Sequence, residues 1–190
     1  MNTALLVMDV QEGIVERLAN SEQLIANVVS AIASARRYEV PTIFVRVAFR
    51  PGWPEVSDRN QSFTALTSTA GSTFDENNPA TQIHRSLVPQ PHEPIVTKRR
   101  VSAFAGSDLE VLLRAMNVTH LVLTGISTSG VVLSTLREAA DRDFELTVIE
   151  DCCADHDDEV NRVLMTKVFP RQAIVESLAD WSATLEAESN

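Results

Sequence analysis

A three-layer α/β fold, in which a six-stranded parallel sheet lies between helices on both faces, is the architecture this sequence predicts. Two observations carry that expectation. Short continuous apolar runs without helical period alternate with segments whose apolar residues recur every three or four positions. The segments between successive runs are also long enough to hold the helical crossovers that parallel strands require.

The first run, TALLVMDV at 3–10, reads as a strand buried on both faces and closes on Asp9. From Ser21, the residues Leu24, Ile25, Val28, Val29, Ile32 and Ala33 fall on one helical face, and the pattern stops before Pro41. PTIFVRVAF at 41–49 is the second strand, with proline tolerated at its start. Residues 50–93 gather Pro, Ser, Thr, Asn and Gly and lose periodicity; only ATQIHRSL at 80–87 reads as a short helix, and the stretch as a whole reads as a functional loop, suited to a lid or to subunit contacts.

EPIVTK at 93–98 is the third strand, ending on Lys98, and a helix at 107–117 carries Leu109, Leu112, Leu113 and Met116 on one face. HLVLTG at 120–125, FELTVIE at 144–150 and QAIVE at 172–176 supply the remaining strands, separated by helices at Ser129–Asp141 and 157–167. A last helix, SLADWSATLEA, follows. Right-handed crossovers then place helices on both sides of the sheet, a Rossmann-like arrangement, and residues 1–190 are expected to form one domain.

Composition narrows the function classes. The chain is 44% hydrophobic and 22% charged, as in ordinary globular proteins. A net charge of -10 disfavours nucleic-acid partners and leaves a small-molecule substrate as the expectation. No apolar run approaches the roughly 20 residues of a spanning helix, and MNTALLVMDV lacks a basic leader region, so no membrane association and a cytoplasmic location are expected. Cys152 and Cys153, the two cysteines, are adjacent and cannot build a disulfide framework.

Ligands of open parallel sheets bind beyond the carboxyl ends of the strands, near the point where strand order reverses. Asp9, Lys98 and the turn GISTSGVV all fall at such ends. Each has a bland alternative. Asp9 could cap the next helix, Lys98 with Arg99 and Arg100 could be a solvated basic cluster, and Thr128 or Ser129 could serve as a helix N-cap.

The strings LLVMDVQ at 5–11, KRRVSAF at 98–104 and LVLTGISTSGVVLSTLREAADRDFELTVIEDCCAD at 121–155 together resemble the isochorismatase-like hydrolases. That resemblance implies a parallel six-stranded sheet between helices, and a triad of aspartate, lysine and cysteine in its cysteine-hydrolase members. The first two map onto Asp9 and Lys98, and the nucleophile position of GxxTxxC maps onto Val131, which has no nucleophilic atom. Backbone amides of Ser127 and Val131, at the turn and helix start, are candidate donors to an oxyanion or carboxylate, and Gln11, Thr128 and Phe104 are further candidate substrate contacts. The resemblance further implies a cis peptide between Ile126 and Ser127. It implies a homodimer or homotetramer as well.

Without a thiol at 131, Asp9 is expected to act as general acid or base beside Lys98, as in the isochorismatases that hydrolyse a vinyl ether. Two alternatives stand beside this: an inactive member that binds a ligand or partner, and an amidase that recruits Cys152 or Cys153. No cofactor is expected. No metal is expected either, because the metal-binding nicotinamidases of that family carry histidines where AFRPGWPEVSDRN at 48–60 has none, and His84, His92, His120 and His156 are scattered. Trp53, Phe63, Phe74 and Phe104 are candidate walls of a small apolar pocket, though core packing explains Phe104 equally well.

Overall fold

The computed structural model describes residues 2–19 and 21–189. Six strands, β1 (Thr3–Met8), β2 (Thr42–Val47), β3 (Ile95–Lys98), β4 (His120–Ile126), β5 (Glu145–Ala154) and β6 (Ile174–Glu176), form one sheet in the order β3-β2-β1-β4-β5-β6. Every pairing is parallel. The expected α/β architecture is therefore the observed one. β1 and β4 are neighbours at the reversal of strand order, so the crevice of an open parallel sheet falls between their carboxyl ends.

Strand alternation explains why β1 reads as an unbroken apolar run. Ala4, Leu6 and Met8 enter one core while Leu5 and Val7 enter the other, and all five are fully buried. The helices α2 (Ser21–Arg37) and α7 (Leu178–Glu188) cover the second face through Leu24, Val28, Ile32, Trp181 and Leu185. The first face lies under α4 (Leu109–Ala115), α5 (Leu133–Ala140) and the segment around α6 (Asp158–Val163), through Leu113, Leu136 and Met165. Each fully buried Leu, Val or Met contributes about 1.5–3 kcal/mol relative to exposure. No helix among the described residues is long and apolar enough to cross a membrane.

Several elements depart from the sequence expectation. Residues 80–87 do not form a helix. A single 3₁₀ turn at Pro79–Thr81 leads into an extended segment whose Ile83 bridges antiparallel to Gln11, and the His84 amide donates to the Val10 carbonyl at 2.9 Å. Tertiary pairing with the chain after β1 overrides the weak local propensity. That same chain forms a one-turn helix, α1 (Glu12–Val15), and residues 61–70 form the helix α3 (Gln61–Ala70), neither of which was expected. The Ser and Thr content of α3 masks it, yet its start is fixed by Asn60 Oδ1, which accepts from the Phe63 amide.

The helix expected at Ser129–Asp141 opens instead as a π-helical turn, Thr128–Val132, before α5 begins, and α6 likewise runs into a π turn at Leu164–Val168. β5 extends four residues beyond the expected Glu150, because its register against β4 slips between Leu123 and Gly125. As neighbours on one strand, Cys152 and Cys153 point to opposite faces and enter different cores.

Gly125 is the position where the sheet leaves no room for a side chain. A Cβ there would sit 2.3 Å from the Met8 carbonyl oxygen, and the residue has φ +149°. Replacing Gly125 with Ala is expected to destabilise the fold by roughly 3 kcal/mol or more, through backbone clash and strain together. Urea unfolding of the variant, read as a fall in midpoint, checks this.

Candidate active site

Asp9 follows the last residue of β1 and turns out of the sheet with φ +56°, a left-handed conformation that Asp tolerates better than most residues. Its amide donates to the Val45 carbonyl at 2.8 Å, which anchors the turn to β2. Lys98 ends β3, on the far side of β2. Two strand spacings, about 9.5 Å, separate β1 from β3, and a long side chain is needed to cross them. Lys98 does so, placing Nζ 2.9 Å from Asp9 Oδ2 and donating to the Arg100 carbonyl at 2.9 Å.

Both groups are out of water, with residue exposures of 5% for Asp9 and 2% for Lys98. Asp9 Oδ1 is buried and has no hydrogen-bond partner among the described residues. Burial pushes the Asp9 carboxyl above its ordinary value, and the opposing charge and hydrogen bond of Lys98 only partly offset this. A carboxyl in such a setting retains its proton to higher pH than one in water.

The pair lies in a cavity of about 250 Å³. Ile14, Val47, Phe63, Phe74, Ile126 and Val131 are among its apolar walls, Ser127 and Gly130 add backbone from the turn after β4, and Arg17 and His156 also border it. A larger cavity of about 540 Å³ lies at the amino-terminal ends of the strands beside Thr3, His120 and Trp181. Neither Asp9 nor Lys98 lines it.

The turn after β4 is held from outside. The Ser129 amide donates to Asp155 Oδ2 at 2.7 Å and the Thr128 hydroxyl to Asn161 Oδ1 at 2.6 Å, while the Gly130 and Val132 amides donate to the Ser127 carbonyl. Asp155, beyond β5, thus supplies the cap that the sequence assigned to Thr128 or Ser129. The Ile126–Ser127 peptide is cis.

Of the residues singled out in the sequence, Asp9, Lys98, Ser127 and Val131 meet in the cavity, together with Phe63 and Phe74. Gln11, Thr128, Trp53 and Phe104 do not line it. Gln11 is fully buried and committed to the backbone: its Nε2 donates to the carbonyls of Val47 and Thr81, and its Oε1 accepts from the Val47 amide. Trp53 stacks on Phe49 with ring centroids 5.0 Å apart, behind the cavity wall. Phe104 packs against Phe144 at 6.1 Å in the core beneath α4 and α5. Arg17 and His156 escaped the sequence reading, since nothing local marks them as facing the strand ends.

Arg99 and Arg100 are not a solvated cluster. Arg99 pairs with Glu76 at 2.8 Å and Glu55 at 3.6 Å, and Arg100 donates to the Glu55 carbonyl. Cys152 and Cys153 are buried away from the cavity, and burial pushes the Cys153 thiol up to about 12 and that of Cys152 higher still.

The isochorismatase domain model matches residues 3–180. This chain belongs to the isochorismatase family. Its relatives within the family include the isochorismatase family protein YwoC of Bacillus subtilis, 32% identical over 169 residues, covering 89% of this chain and 86% of that protein. The ureidoacrylate amidohydrolase RutB of Variovorax paradoxus is 30% identical over 170 residues, covering 79% of this chain and 68% of that one. Among solved structures, an isochorismatase family protein from Burkholderia thailandensis superposes with a TM-score of 0.84 at 28% identity, covering 97% of this chain and 96% of that one. The chain is accordingly similar to hydrolases, amidohydrolases among them.

Removing the cation of a buried pair leaves an uncompensated charge, a loss of about 3–5 kcal/mol. Lys98→Met is expected to show a loss of that order at neutral pH, and adding Asp9→Asn should recover a large part of it. A double-mutant cycle from urea unfolding measures the coupling. For the thiols, iodoacetamide at neutral pH should leave both cysteines of the folded protein unmodified and label them once urea unfolds it, as mass spectrometry would reveal.

Proposed function

We propose that this chain is a hydrolase of a small molecule in which Asp9 acts as general acid and base beside Lys98, with no covalent cysteine intermediate. The observation that carries the reading is Asp9 Oδ1, a buried carboxyl oxygen without a protein partner, bordering a cavity of substrate size. A carboxyl whose proton affinity burial raises can take up a proton and pass it to a substrate carbon or leaving group, and the resulting carboxylate is stabilised at once by the Lys98 cation at 2.9 Å. The same carboxylate then serves as base toward an attacking water, which returns the site to its starting state. Backbone amides of Ser127 and Val131 are the proposed donors to a developing oxyanion.

The resemblance that maps the family nucleophile onto Val131 supports this route over a thiol route, as does the burial of both cysteines away from the cavity. A second reading, ligand binding without turnover, draws on the same valine, an apolar wall residue 2% exposed. The proposal includes a cytoplasmic enzyme that works on one domain per chain and assembles as a homodimer or homotetramer.

A panel of small vinyl ethers and ureido acids, the latter suggested by the ureidoacrylate amidohydrolase relative, tests the reading. Asp9→Asn is expected to lower kcat by about a hundredfold or more, the lower end for loss of a general acid; turnover at the full rate in that variant removes the mechanism. In the wild type the rate should fall as pH rises through the Asp9 pKa, which lies above 3.8, because the protonated form is the reactive one. Stability follows the same sign: the folded state binds more protons than the unfolded chain between 3.8 and the raised value, so this group's contribution declines across that window as pH rises.

A further inference from the structure

Charge around the cavity is unequal. Asp9 is the one carboxylate among its described lining residues, and it already faces Lys98. Arg17 borders the same cavity with no ion pair among the described residues, while the nearby Glu12 is engaged by Arg85 at 3.1 Å. The Arg17 guanidinium lies 5.7 Å from the centroid of the Phe74 ring, itself a cavity wall. A turn after α1 presents it, closed by the Arg17 amide on the Ile14 carbonyl. In a chain of net charge -10, an unpaired cation at a largely apolar cavity is an exception to the general field.

We infer that Arg17 determines substrate specificity, selecting a small molecule that carries one carboxylate on an apolar body. The inference rests on the Asp9–Lys98 cavity being the substrate site. Guanidinium presents a planar fork that matches a carboxylate in two parallel hydrogen bonds, and stacking on Phe74 limits the orientations it must give up on binding. The volume of about 250 Å³ lies below the range typical of drug-sized ligands, which restricts the body to a small ring or a short branched chain. With the carboxylate at Arg17, the opposite end of such a molecule is directed toward Asp9 and Lys98.

Benzoate and benzamide, alike in size and shape but different in charge, are the probes. Titrations of the full chain by NMR or calorimetry are expected to show benzoate binding roughly fivefold tighter than benzamide, the upper end for one charge pair at an exposed site. In Arg17→Gln that ratio should fall to near one with benzamide affinity unchanged, and Arg17→Lys should restore part of it. Equal binding of the probes to wild type, a benzoate preference that survives in Arg17→Gln, or no saturable binding of either probe would overturn the inference. Arg17 is exposed, so thermal melts should find the variants folded. Hydrolysis stands or falls separately, on turnover by wild type against Asp9→Asn.

Discussion

The ion pair between Asp9 and Lys98 is the constraint around which the carboxyl edge of the sheet is arranged. Taking both charges out of water costs several kcal/mol per ion after relaxation, and well-packed apolar residues of similar volume would often be as stable or more so. Stability alone therefore does not account for a lysine 2% exposed at the end of a strand. What the pair provides is a carboxyl whose proton affinity is set by two opposed effects, with burial the larger and the Lys98 cation the smaller. Neighbouring features are consistent with keeping that balance: Gly125 allows β4 to approach the Met8 carbonyl, and Gln11 fixes Val47 from both its amide and its carbonyl.

The segment after β2 excludes water from the pair. Val47, Phe49, Trp53, Phe63 and Phe74 form a small cluster of their own, separate from the two cores on the sheet faces, and Phe63 and Phe74 turn from that cluster to wall the cavity. Arg99 and Arg100, which follow Lys98 directly, reach this segment at Glu55 and Glu76. One tripeptide thus supplies the buried cation and the clamps on the cover above it. Aromatic packing is the stronger restraint of the two, since partly exposed ion pairs contribute at most about 1 kcal/mol each.

Period and length made the sheet legible from sequence. β1 to β6 all lie where apolar runs were read, because a strand buried on both faces needs an uninterrupted run. Asp9 and Lys98 were legible as strand ends, and topology brought them together. Residues 74–84 were not, because their structure is decided by partners far away in sequence: Gln11 for the bridging segment and Phe49 for Phe74. Phe104 and Arg17 mark two limits of local sequence. For Phe104 a pocket wall and core packing read equally well and the structure selects packing on Phe144, while an arginine on a short turn gave no local signal although it faces the cavity.

Val131 changes the meaning of the cavity rather than its shape. It is buried in the core cluster and still contributes to the wall beside Asp9 and Lys98, so it is part of the packing as well as of the site. A thiol in such surroundings would need the Lys98 cation to hold it as thiolate. With valine there, that cation has Asp9 as its one carboxylate neighbour among the described lining residues. The consequence is a division of labour along the cavity. In the proposed mechanism proton transfer belongs to the Asp9–Lys98 end, and recognition of charge falls to Arg17, a wall cation with no ion pair among the described residues.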